Sequence, residues 1–296
     1  MVHVVGLLGA SGLVGNPTAH KLAESAAAGE IELVLLHRPE RKPKGFDGKP
    51  SVQFRVVDFD GPSTDLEKAL RGIHVVVASI SPEGLSVEPK LVEALAKSPD
   101  FVTYIPSLYS TTWSESDARE PGLDSILPMF HASTDKAKEL GVSTTIVYTG
   151  GFDNYIFDLD YIGSSLKQNH VLANKKQLQN GFPITSIDYL ASGLHRLATS
   201  DPSSTKNTEH SFVTFWPTGQ DLVDLFSKIN GKPATIRDYT VEVRNDLLAD
   251  AANFGAVKAG YLGKWEANSW AYDQPGRAYD KSYTGPSIEE TARRYI

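Results

Sequence analysis

The first half of the chain alternates short apolar runs with amphipathic stretches. The apolar runs occupy residues 4–8, 31–36, 52–57, 73–79, 101–105 and 142–149. A run that is apolar at almost every position is typical of a strand buried on both faces of a parallel sheet. The stretches between the runs predict helices, chiefly over 63–71, 86–97 and 126–140. Strands and helices that alternate in this way indicate an α/β protein with a doubly wound parallel sheet.

Beyond residue 150 the strict alternation is lost. Strands are predicted over 183–187, 212–216 and 235–243, helices over 188–199, 218–229, 244–260 and 287–295, and a polar loop over 200–207. We expect Thr218 to cap its helix and Gly231 to end it. The predicted organisation is a nucleotide-binding domain at 1–150 and an irregular α+β substrate-binding region at 151–296, packed on the first and partly intertwined with it.

A glycine-rich turn follows the first strand. We expect Gly9 to allow a tight reversal, Gly12 to let the backbone approach a ligand, and Gly15 to let the next helix pack on the strand. The helix N-terminus would then offer N–H groups to a diphosphate, which indicates a Rossmann domain. The candidate cofactor-binding residues of this turn are Gly9, Ala10, Ser11, Gly12, Leu13, Val14 and Gly15. Their spacing departs from G-x-G-x-x-G, and a turn that binds nothing is the alternative.

A basic segment follows the second strand. His37 and Arg38 stand where an enzyme that selects NAD places an acidic residue, and Arg41, Lys42 and Lys44 follow. A guanidinium suits a 2′-phosphate, because its planar fork meets two oxygens at once. The predicted cofactor is therefore NADP(H), with Arg38 on the phosphate. A solvated basic loop is the alternative.

Ligands of doubly wound sheets bind beyond the carboxyl ends of the strands, so residues that follow strands define the predicted cleft. Besides the glycine turn and Arg38, these are Asp58, Ser79, Ile80, Ser81, Pro106, Ser107 and Tyr109, and, after the sixth strand, Gly150, Gly151, Phe152, Asn154 and Tyr155. We predict that Tyr109, Gly151, Phe152, Asn154 and Tyr155 contact substrate. For the segment after strand six, a plain turn is the alternative.

Composition excludes several classes of function. The chain has 296 residues, a net charge of −7, 41% hydrophobic residues and no cysteine. Thiolate metal sites, disulfides and cysteine nucleophiles are therefore absent, and the negative charge does not favour binding to nucleic acid or anionic membranes. The eight histidines lack metal-ligand spacing, so no metal is predicted. We expect a soluble, cytoplasmic protein, because no apolar run approaches the length of a membrane span and the N-terminus lacks a signal-type pattern.

With these residues in place, the chain resembles the NmrA-like and isoflavone-reductase-like atypical short-chain dehydrogenases. The likeness rests on residues 9–15, Leu36-His37-Arg38, Val57-Asp58, Tyr104-Ile105-Pro106-Ser107 and 141–147. It implies NADP(H) over the glycine turn with Asp58 near the adenine, while residues 79–82 and 106–107 flank the ribose and nicotinamide. Many members reduce carbonyl or alkene groups of phenolic and other secondary metabolites, and others are NADP(H)-sensing regulators.

The chain departs from this family at the catalytic lysine. Family reductases carry it about ten or eleven positions before the residue that is Gly141 here, where this chain has Phe130 and His131. Lys136 lies on another face of the predicted helix. His131 could replace the lysine as proton donor, or be a packed or surface histidine. Tyr109 is the second candidate, with a plain wall residue as its alternative.

Three functions are consistent with the sequence. The leading hypothesis is an NADPH-dependent reductase of a small aromatic or polyketide-like metabolite, with hydride transfer to a carbonyl or conjugated carbon. The alternatives are a non-catalytic NADP(H)-sensing regulatory protein and a non-redox lyase or isomerase on the same fold. The aromatic residues of the tail either shape a substrate pocket or belong to the core or a homodimer contact; they are Trp265, Trp270, Tyr272, Tyr279 and Tyr283.

Overall fold

A computed structural model describes residues 2–250, 254–272 and 283–296. Contacts between residues divide the chain into two compact units, each built from three separate stretches. Unit 1 comprises residues 1–109, 129–147 and 190–210, and unit 2 comprises 110–128, 148–189 and 211–296. The predicted division at residue 150 remains a prediction about function, since both units draw on residues from either side of it.

Unit 1 contains a five-stranded parallel sheet with the strand order β3-β2-β1-β4-β5. Its strands are β1 (His3–Leu8), β2 (Ile31–His37), β3 (Val52–Val56), β4 (Val75–Ala78) and β5 (Thr103–Ile105). In the register of the central strands, Val5 lies between Leu33 and Val75, and all three side chains are fully buried. Burial on both faces explains the continuous apolar runs and confirms the predicted α/β fold.

The helices of the first half connect these strands. They are α1 (Gly15–Ala27), α2 (Ser63–Leu70), α3 (Glu88–Leu95) and α4 (Leu123–Leu140), and single 3₁₀ turns cover Pro82–Val87 and Asp117–Arg119. Helix α3 buries Leu91 and Leu95 against the apolar core of the sheet. The predicted helix at 86–97 is thus divided, because Pro89 lies in the first turn of α3 and the residues before it form a 3₁₀ turn.

The sixth predicted strand is shorter and less integrated than expected. Strand β6 (Thr145–Thr149) pairs with β10 (Thr208–Phe212) in a separate two-stranded sheet. An isolated parallel bridge between Tyr104 and Thr144 and a hydrogen bond between the hydroxyls of Thr103 and Thr145 join its start to the edge strand β5. The alternation read from sequence identifies the strand, but it does not report which neighbour the strand pairs with.

The remaining elements are short and mixed. They are β7 (Gly151–Phe152), α5 (Asp153–Phe157), β8 (His170–Leu172), β9 (Ile184–Thr185), α6 (Ile187–Thr199), α7 (Pro202–Thr205), α8 (Gly219–Asn230), β11 (Thr235–Arg237), α9 (Val241–Ala249), α10 (Gly255–Ala267), α11 (Ile288–Ala292) and a 3₁₀ turn at Arg293–Tyr295. Strands β7 and β9 pair in parallel, as do β8 and β11. The prediction of irregular α+β structure after residue 150 is confirmed.

Several local predictions meet different outcomes. Thr218 caps α8 in a reciprocal capping box with Asp221, and Gly231 follows the helix in the left-handed region, both as predicted. The predicted loop 200–207 is wrong in part, because Asp201 accepts the N–H of Ser203 and starts the short helix α7. The strand predicted at 212–216 instead occupies 208–212.

The described aromatic residues of the tail pack against other aromatic rings within unit 2, where Tyr283 makes edge contacts with Tyr189 and Phe215. Trp265 and Trp270 make edge contacts with Phe182, and their ring centroids lie 5.2 and 5.5 Å from its ring. The indole N–H groups of both tryptophans donate to backbone carbonyls of residues 180 and 181. Trp265, Trp270 and Tyr272 are buried, which favours the core interpretation; Tyr279 lies outside the described residues. Within the described ranges, no helix is both long and apolar enough to cross a bilayer.

Candidate functional site

A cavity of about 530 Å³ opens at the carboxyl edge of the sheet in unit 1. The ends of β1, β2 and β4 and the loops that follow them form its walls. Its lining residues are Leu8, Gly9, Ala10, Ser11, Gly12, Leu36, His37, Arg38, Arg41, Pro43, Phe59, Ser79, Ile80, Ser81, Gly84 and Val87. The structure therefore brings together most of the predicted cofactor-binding residues, as expected for loops that leave neighbouring parallel strands on one side.

The glycine turn is packed against the loop after β4 with no room for side chains at two positions. Gly9 has φ = +92°, and a Cβ there would lie 2.2 Å from the carbonyl oxygen of Ser79. A Cβ on Gly15, the first residue of α1, would lie 2.0 Å from the carbonyl oxygen of Gly9. Gly12 is less restricted, with 3.3 Å to the same oxygen. The expected reversal at Gly9 and close packing at Gly15 thus have direct steric causes.

Helix α1 begins without a side-chain cap. Val14 occupies the N-cap position without a side-chain hydrogen bond, while the N–H of Asn16 donates to the carbonyl of Gly12 at 2.9 Å and Pro17 has no N–H, so the glycine turn itself meets most of the first donors of α1. Partial positive charge at such an end favours a bound anion. Leu13, Val14 and Gly15 do not line the cavity themselves; Val14 is buried and Leu13 is 46% exposed.

Two guanidinium groups border the cavity. Arg38 is half-buried, and its guanidinium carbon lies 6.0 Å from the ring centroid of Phe59. Arg41 is exposed. Within the part of the chain that the structure describes, no carboxylate lies within salt-bridge distance of either arginine, whereas Lys42 is paired with Asp47 at 2.6 Å. Both arginines are therefore available to an anionic ligand.

Asp58 lies outside the cavity lining. Its side chain is exposed and accepts the N–H of Asp60 at 3.0 Å, so it closes a turn after β3. The ring of the next residue, Phe59, lines the cavity instead. Contact between Asp58 and an adenine therefore stays a prediction, and Phe59 is a lining residue that the sequence reading missed. Its signal was an aromatic residue two positions beyond the predicted strand 52–57.

Ser107 binds the loop after β4 rather than open space. Its hydroxyl donates to the carbonyl of Ile80 at 2.8 Å and accepts the N–H of Ile80 at 2.9 Å. Pro106, which precedes it, is buried. Neither residue lines the cavity. The observed bonds give Ser107 a structural role in joining two loops, and its predicted contact with the cofactor remains a prediction.

Glu88 is a site residue that the sequence reading did not single out. It is 1% exposed at the start of α3, and its Oε1 accepts the hydroxyl of Tyr104 at 2.8 Å and the N–H of Ser107 at 3.0 Å. Burial raises its pKa, and the bonds from Tyr104 and Ser107 oppose that shift. The burial of Glu88 has no signal in the sequence, because its partners Tyr104 and Ser107 are distant in the chain and lie beside it only once the sheet has formed.

The two candidate proton donors have different surroundings. The hydroxyl of Tyr109 donates to the carbonyl of Ala78 at 2.6 Å and lies 3.5 Å from Ser79 Oγ. Burial raises the pKa of Tyr109. His131 is half-buried on α4, where burial lowers its pKa while the carboxylate of Asp135 opposes the change. Neither residue lines the cavity, so their catalytic roles remain predictions.

The predicted substrate-binding segment lies in unit 2. A Cβ on Gly150 would lie 2.2 Å from the carbonyl oxygen of Pro183, so this glycine accommodates protein backbone. The ring of Phe152 packs near Tyr155, and Tyr155 stacks on Tyr161 at 4.9 Å. Asn154 Oδ1 is buried without a hydrogen-bond partner among the described residues. Gly151, Phe152, Asn154 and Tyr155 thus form a compact segment whose contact with substrate is still a prediction.

Metal binding has no support in the described ranges, where no cluster of three or more His, Asp or Glu side chains could hold an ion. A cavity of this size accommodates a nucleotide or a drug-sized molecule. Arg38, Arg41 and the positive end of the helix dipole of α1 favour phosphate groups beside the glycine turn.

Searches of the sequence against protein-family models and curated proteins give no match. The fold, however, matches solved structures over nearly the whole chain. Leucoanthocyanidin reductase from Vitis vinifera, in complex with NADPH, is 17% identical with a TM-score of 0.78 and covers 99% of both chains. An isoflavone reductase is 15% identical with a TM-score of 0.79 and full coverage of both chains. Triphenylmethane reductase of Citrobacter sp. is 14% identical with a TM-score of 0.73 and 99% coverage of both.

These likenesses define the class of fold. The protein has the α/β Rossmann-type architecture of the isoflavone-reductase-like and leucoanthocyanidin reductase structures, which confirms the fold that the family resemblance implied. At this level of identity the comparison concerns the fold alone, and activity must be argued from the site.

Proposed function

We propose that this protein binds NADP(H) in the cavity of unit 1. The observation that carries the proposal is the pairing of the Gly9–Gly12 turn with Arg38 and Arg41 around one cavity of about 530 Å³. Gly9 and Gly12 line the cavity without side chains, and the close packing of Gly9 on the carbonyl of Ser79 holds the turn at the cavity wall, where a diphosphate would lie. Arg38 and Arg41 lack carboxylate partners among the described residues, and a 2′-phosphate would supply the missing negative charge.

We further propose that the protein is an NADPH-dependent reductase of a small aromatic or polyketide-like metabolite. Bound NADPH would supply a hydride to a carbonyl or conjugated carbon. The support comes from the similar structures, whose names describe reductases of leucoanthocyanidin, isoflavone and triphenylmethane dyes, all aromatic compounds. The chain itself would orient the substrate, exclude water and provide a proton.

His131 is the first candidate for the proton donor. The hydroxyl of Tyr109 already donates a hydrogen bond to the carbonyl of Ala78, and its raised pKa makes it a weak acid. His131 has a lowered pKa, so its ring is neutral at pH 7 and becomes imidazolium only in more acidic solution. If the imidazolium is the acid, the rate of reduction should increase as the pH falls, with an inflection below 6.5 that is absent in His131→Gln.

A non-catalytic NADP(H) sensor is the second candidate. It is favoured by the absence of a lysine at positions 130 and 131, where family reductases carry their catalytic lysine. Lys136 offers no substitute, because its ammonium group pairs with Glu139 at 2.8 Å and approaches Glu93 at 3.9 Å. Turnover of any aromatic carbonyl or alkene with loss of the nicotinamide absorbance would exclude this candidate.

Calorimetric titration of the intact protein with NADPH and NADH tests cofactor binding. We expect NADPH to bind at least about tenfold more tightly, the scale of one or two charge-assisted hydrogen bonds. Arg38→Ala should remove most of this preference. Arg71→Ala is the matched control, since Arg71 is exposed and does not line the cavity. Equal affinity for both nucleotides in the native protein would contradict the 2′-phosphate assignment, and no binding of either would contradict the function.

A further inference from the structure

A chain of hydrogen bonds connects the interior of unit 1 to the wall of the cavity. It starts at Tyr104 on β5, whose hydroxyl donates to Glu88 Oε1. The same oxygen accepts the N–H of Ser107, and the hydroxyl of Ser107 bonds both the N–H and the carbonyl of Ile80. All four contacts are between 2.8 and 3.0 Å. The carboxylate therefore lies at the centre of a link that joins strand β5 and the loop after it to the loop after β4.

The far end of this link is part of the cavity. Ile80 lines the cavity beside Ser79 and Ser81, and Val87, the residue before Glu88, lines it as well. These residues belong to the loop after β4 and to the 3₁₀ turn that precedes α3. Ser79 supplies the carbonyl oxygen that crowds Gly9, so the position of this loop also sets the position of the glycine turn.

We propose that Glu88 is a positioning residue for the nucleotide: its buried carboxylate fixes the Pro106–Ser107 turn, and through Ser107 holds Ile80 in the conformation that the bound cofactor requires. Glu88 does not touch the cavity itself. It acts by reducing the ordering that binding would otherwise demand of two loops. This inference rests on the proposed binding of NADP(H).

Packing alone does not explain a carboxylate at this position. A buried carboxylate loses its hydration, and an apolar side chain of similar volume often stabilises a core at least as well. This loss of hydration is also the main cause of the raised pKa of Glu88. What an apolar residue cannot do is accept the Tyr104 hydroxyl and the Ser107 N–H together, and without an acceptor these two donors would drive the turn to rearrange.

The test uses Glu88→Leu and Glu88→Gln in the full-length protein. Glu88→Leu keeps the volume and removes the acceptor, whereas Glu88→Gln keeps an acceptor oxygen and removes the charge. We expect Glu88→Leu to raise the Kd for NADPH about tenfold, the scale of one lost hydrogen bond, and Glu88→Gln to stay within about twofold of the native value. Without nucleotide, the amide protons of Ile80 and Ser107 should exchange faster in Glu88→Leu alone.

Thr145→Val is the matched control for a lost buried polar group. Thr145 is fully buried in unit 1 and bonds Thr103 and the carbonyl of residue 205, at 2.8 Å each, away from the cavity lining. It should lower the melting temperature and leave the Kd for NADPH unchanged. Ser107→Ala should weaken NADPH binding, and its effect should not add to that of Glu88→Leu, because both act through one link.

The outcomes separate the two proposals. If the native protein binds no NADPH, the proposed function fails, while the exchange rates of Ile80 and Ser107 still report whether Glu88 fixes the turn. If the native protein binds NADPH and a folded Glu88→Leu binds it equally well, the positioning role is wrong and the proposed function stands. Equal loss of affinity in Glu88→Leu and Thr145→Val would also overturn the positioning role, since it would reduce Glu88 to general stability.

Discussion

Individual glycines show how strictly the nucleotide turn is built. Gly15 begins α1 directly against the carbonyl of Gly9, whereas Gly263 lies inside α10 with open space where its Cβ would be. The two residues are chemically identical and both helical. Their surroundings predict opposite responses to the same substitution.

Gly15→Ala should destabilise the protein, because a Cβ placed 2.0 Å from the Gly9 oxygen forces the turn or the helix to move. We expect a decrease of at least about 2 kcal/mol in the free energy of unfolding, typical of overpacking, together with loss of NADPH binding. Gly263→Ala should increase the free energy of unfolding by about 0.5–1 kcal/mol, because alanine has the higher helix propensity. Urea titrations measure the free energy of unfolding of both variants. A Gly15→Ala variant as stable as the native protein would contradict the steric explanation.

At this scale the sequence predicted positions whose cause is local and missed those whose cause is distant. The roles of Gly9 and Gly15 follow from a strand, a turn and a helix that are contiguous in the chain. Glu88 had no such signal, because a glutamate before a proline resembles an ordinary helix start. Its burial depends on Tyr104 and Ser107, which the sheet brings to it from later in the chain.

Between elements, an ion pair within unit 2 joins the partly exposed Asp117 of the 3₁₀ turn at residues 117–119 to the buried Lys264 of α10. Lys264 is 5% exposed, and its ammonium lies 2.7 Å from Asp117 Oδ2. Burial alone would raise the pKa of Asp117, but hydrogen bonds from Lys264 and Ser114 outweigh it and the pKa is lowered. The ammonium is also 5.5 Å from the ring of Trp113. Because the ammonium of Lys264 is buried, the stability of the folded protein depends on the counter-charge that Asp117 supplies.

Asp117→Asn should therefore lower the free energy of unfolding by about 3 kcal/mol, since it leaves a buried ammonium without a counter-charge. The double variant Asp117→Asn with Lys264→Met should recover most of this loss, because it also removes the buried charge. Glu115→Gln serves as control: Glu115 and Arg119 form an exposed pair at 3.8 Å on the same turn. The control should leave thermal and urea unfolding unchanged. A loss in Asp117→Asn no larger than in Glu115→Gln would contradict the prediction.

Element types were easier to predict than element ends and partners. Strands β1, β2 and β4 coincide with apolar runs because both faces of each are buried. The predicted position of strand β10 is four residues too late. Thr208–Phe212 begins with polar residues, whereas 212–216 is more apolar and matches the pattern of a buried strand better. Asp201 and Pro202 were read as loop residues, although an aspartate before a proline also starts a helix, as it does here.

For the whole protein, bound nucleotide should appear as added thermal stability. A ligand that binds only the folded state at a concentration one hundred times its Kd contributes about 2.7 kcal/mol. NADPH should therefore raise the melting temperature of the transition that involves unit 1, and NADH at the same concentration should raise it less. Differential scanning calorimetry of the native protein and Arg38→Ala measures this effect. Equal shifts with both nucleotides in both proteins would contradict a role for Arg38.

The three separate stretches that make up each unit could not be predicted from the sequence. Hydrophobic periodicity reports what each stretch does locally, so it suggested a division at residue 150 where the alternation fades. It does not report that residues 190–210 belong with the first 109. Residues 190–210 belong to unit 1 because of contacts between positions far apart in the sequence. Ser25 Oγ lies 2.9 Å from His195 Nε2, and His3 Nε2 lies 2.8 Å from the carbonyl oxygen of Ala198.

The discontinuous make-up of unit 1 has a consequence for biosynthesis. A ribosome releases the sheet strands β1–β5 early, yet residues 190–210 leave the exit tunnel only after most of the chain has been translated. Until then, His3 and Ser25 lack the partners that α6 brings them. A gene fragment that stops at residue 150 would therefore encode unit 1 without residues 190–210, and a nascent chain of that length would expose to chaperones and proteases the surface that α6 later covers.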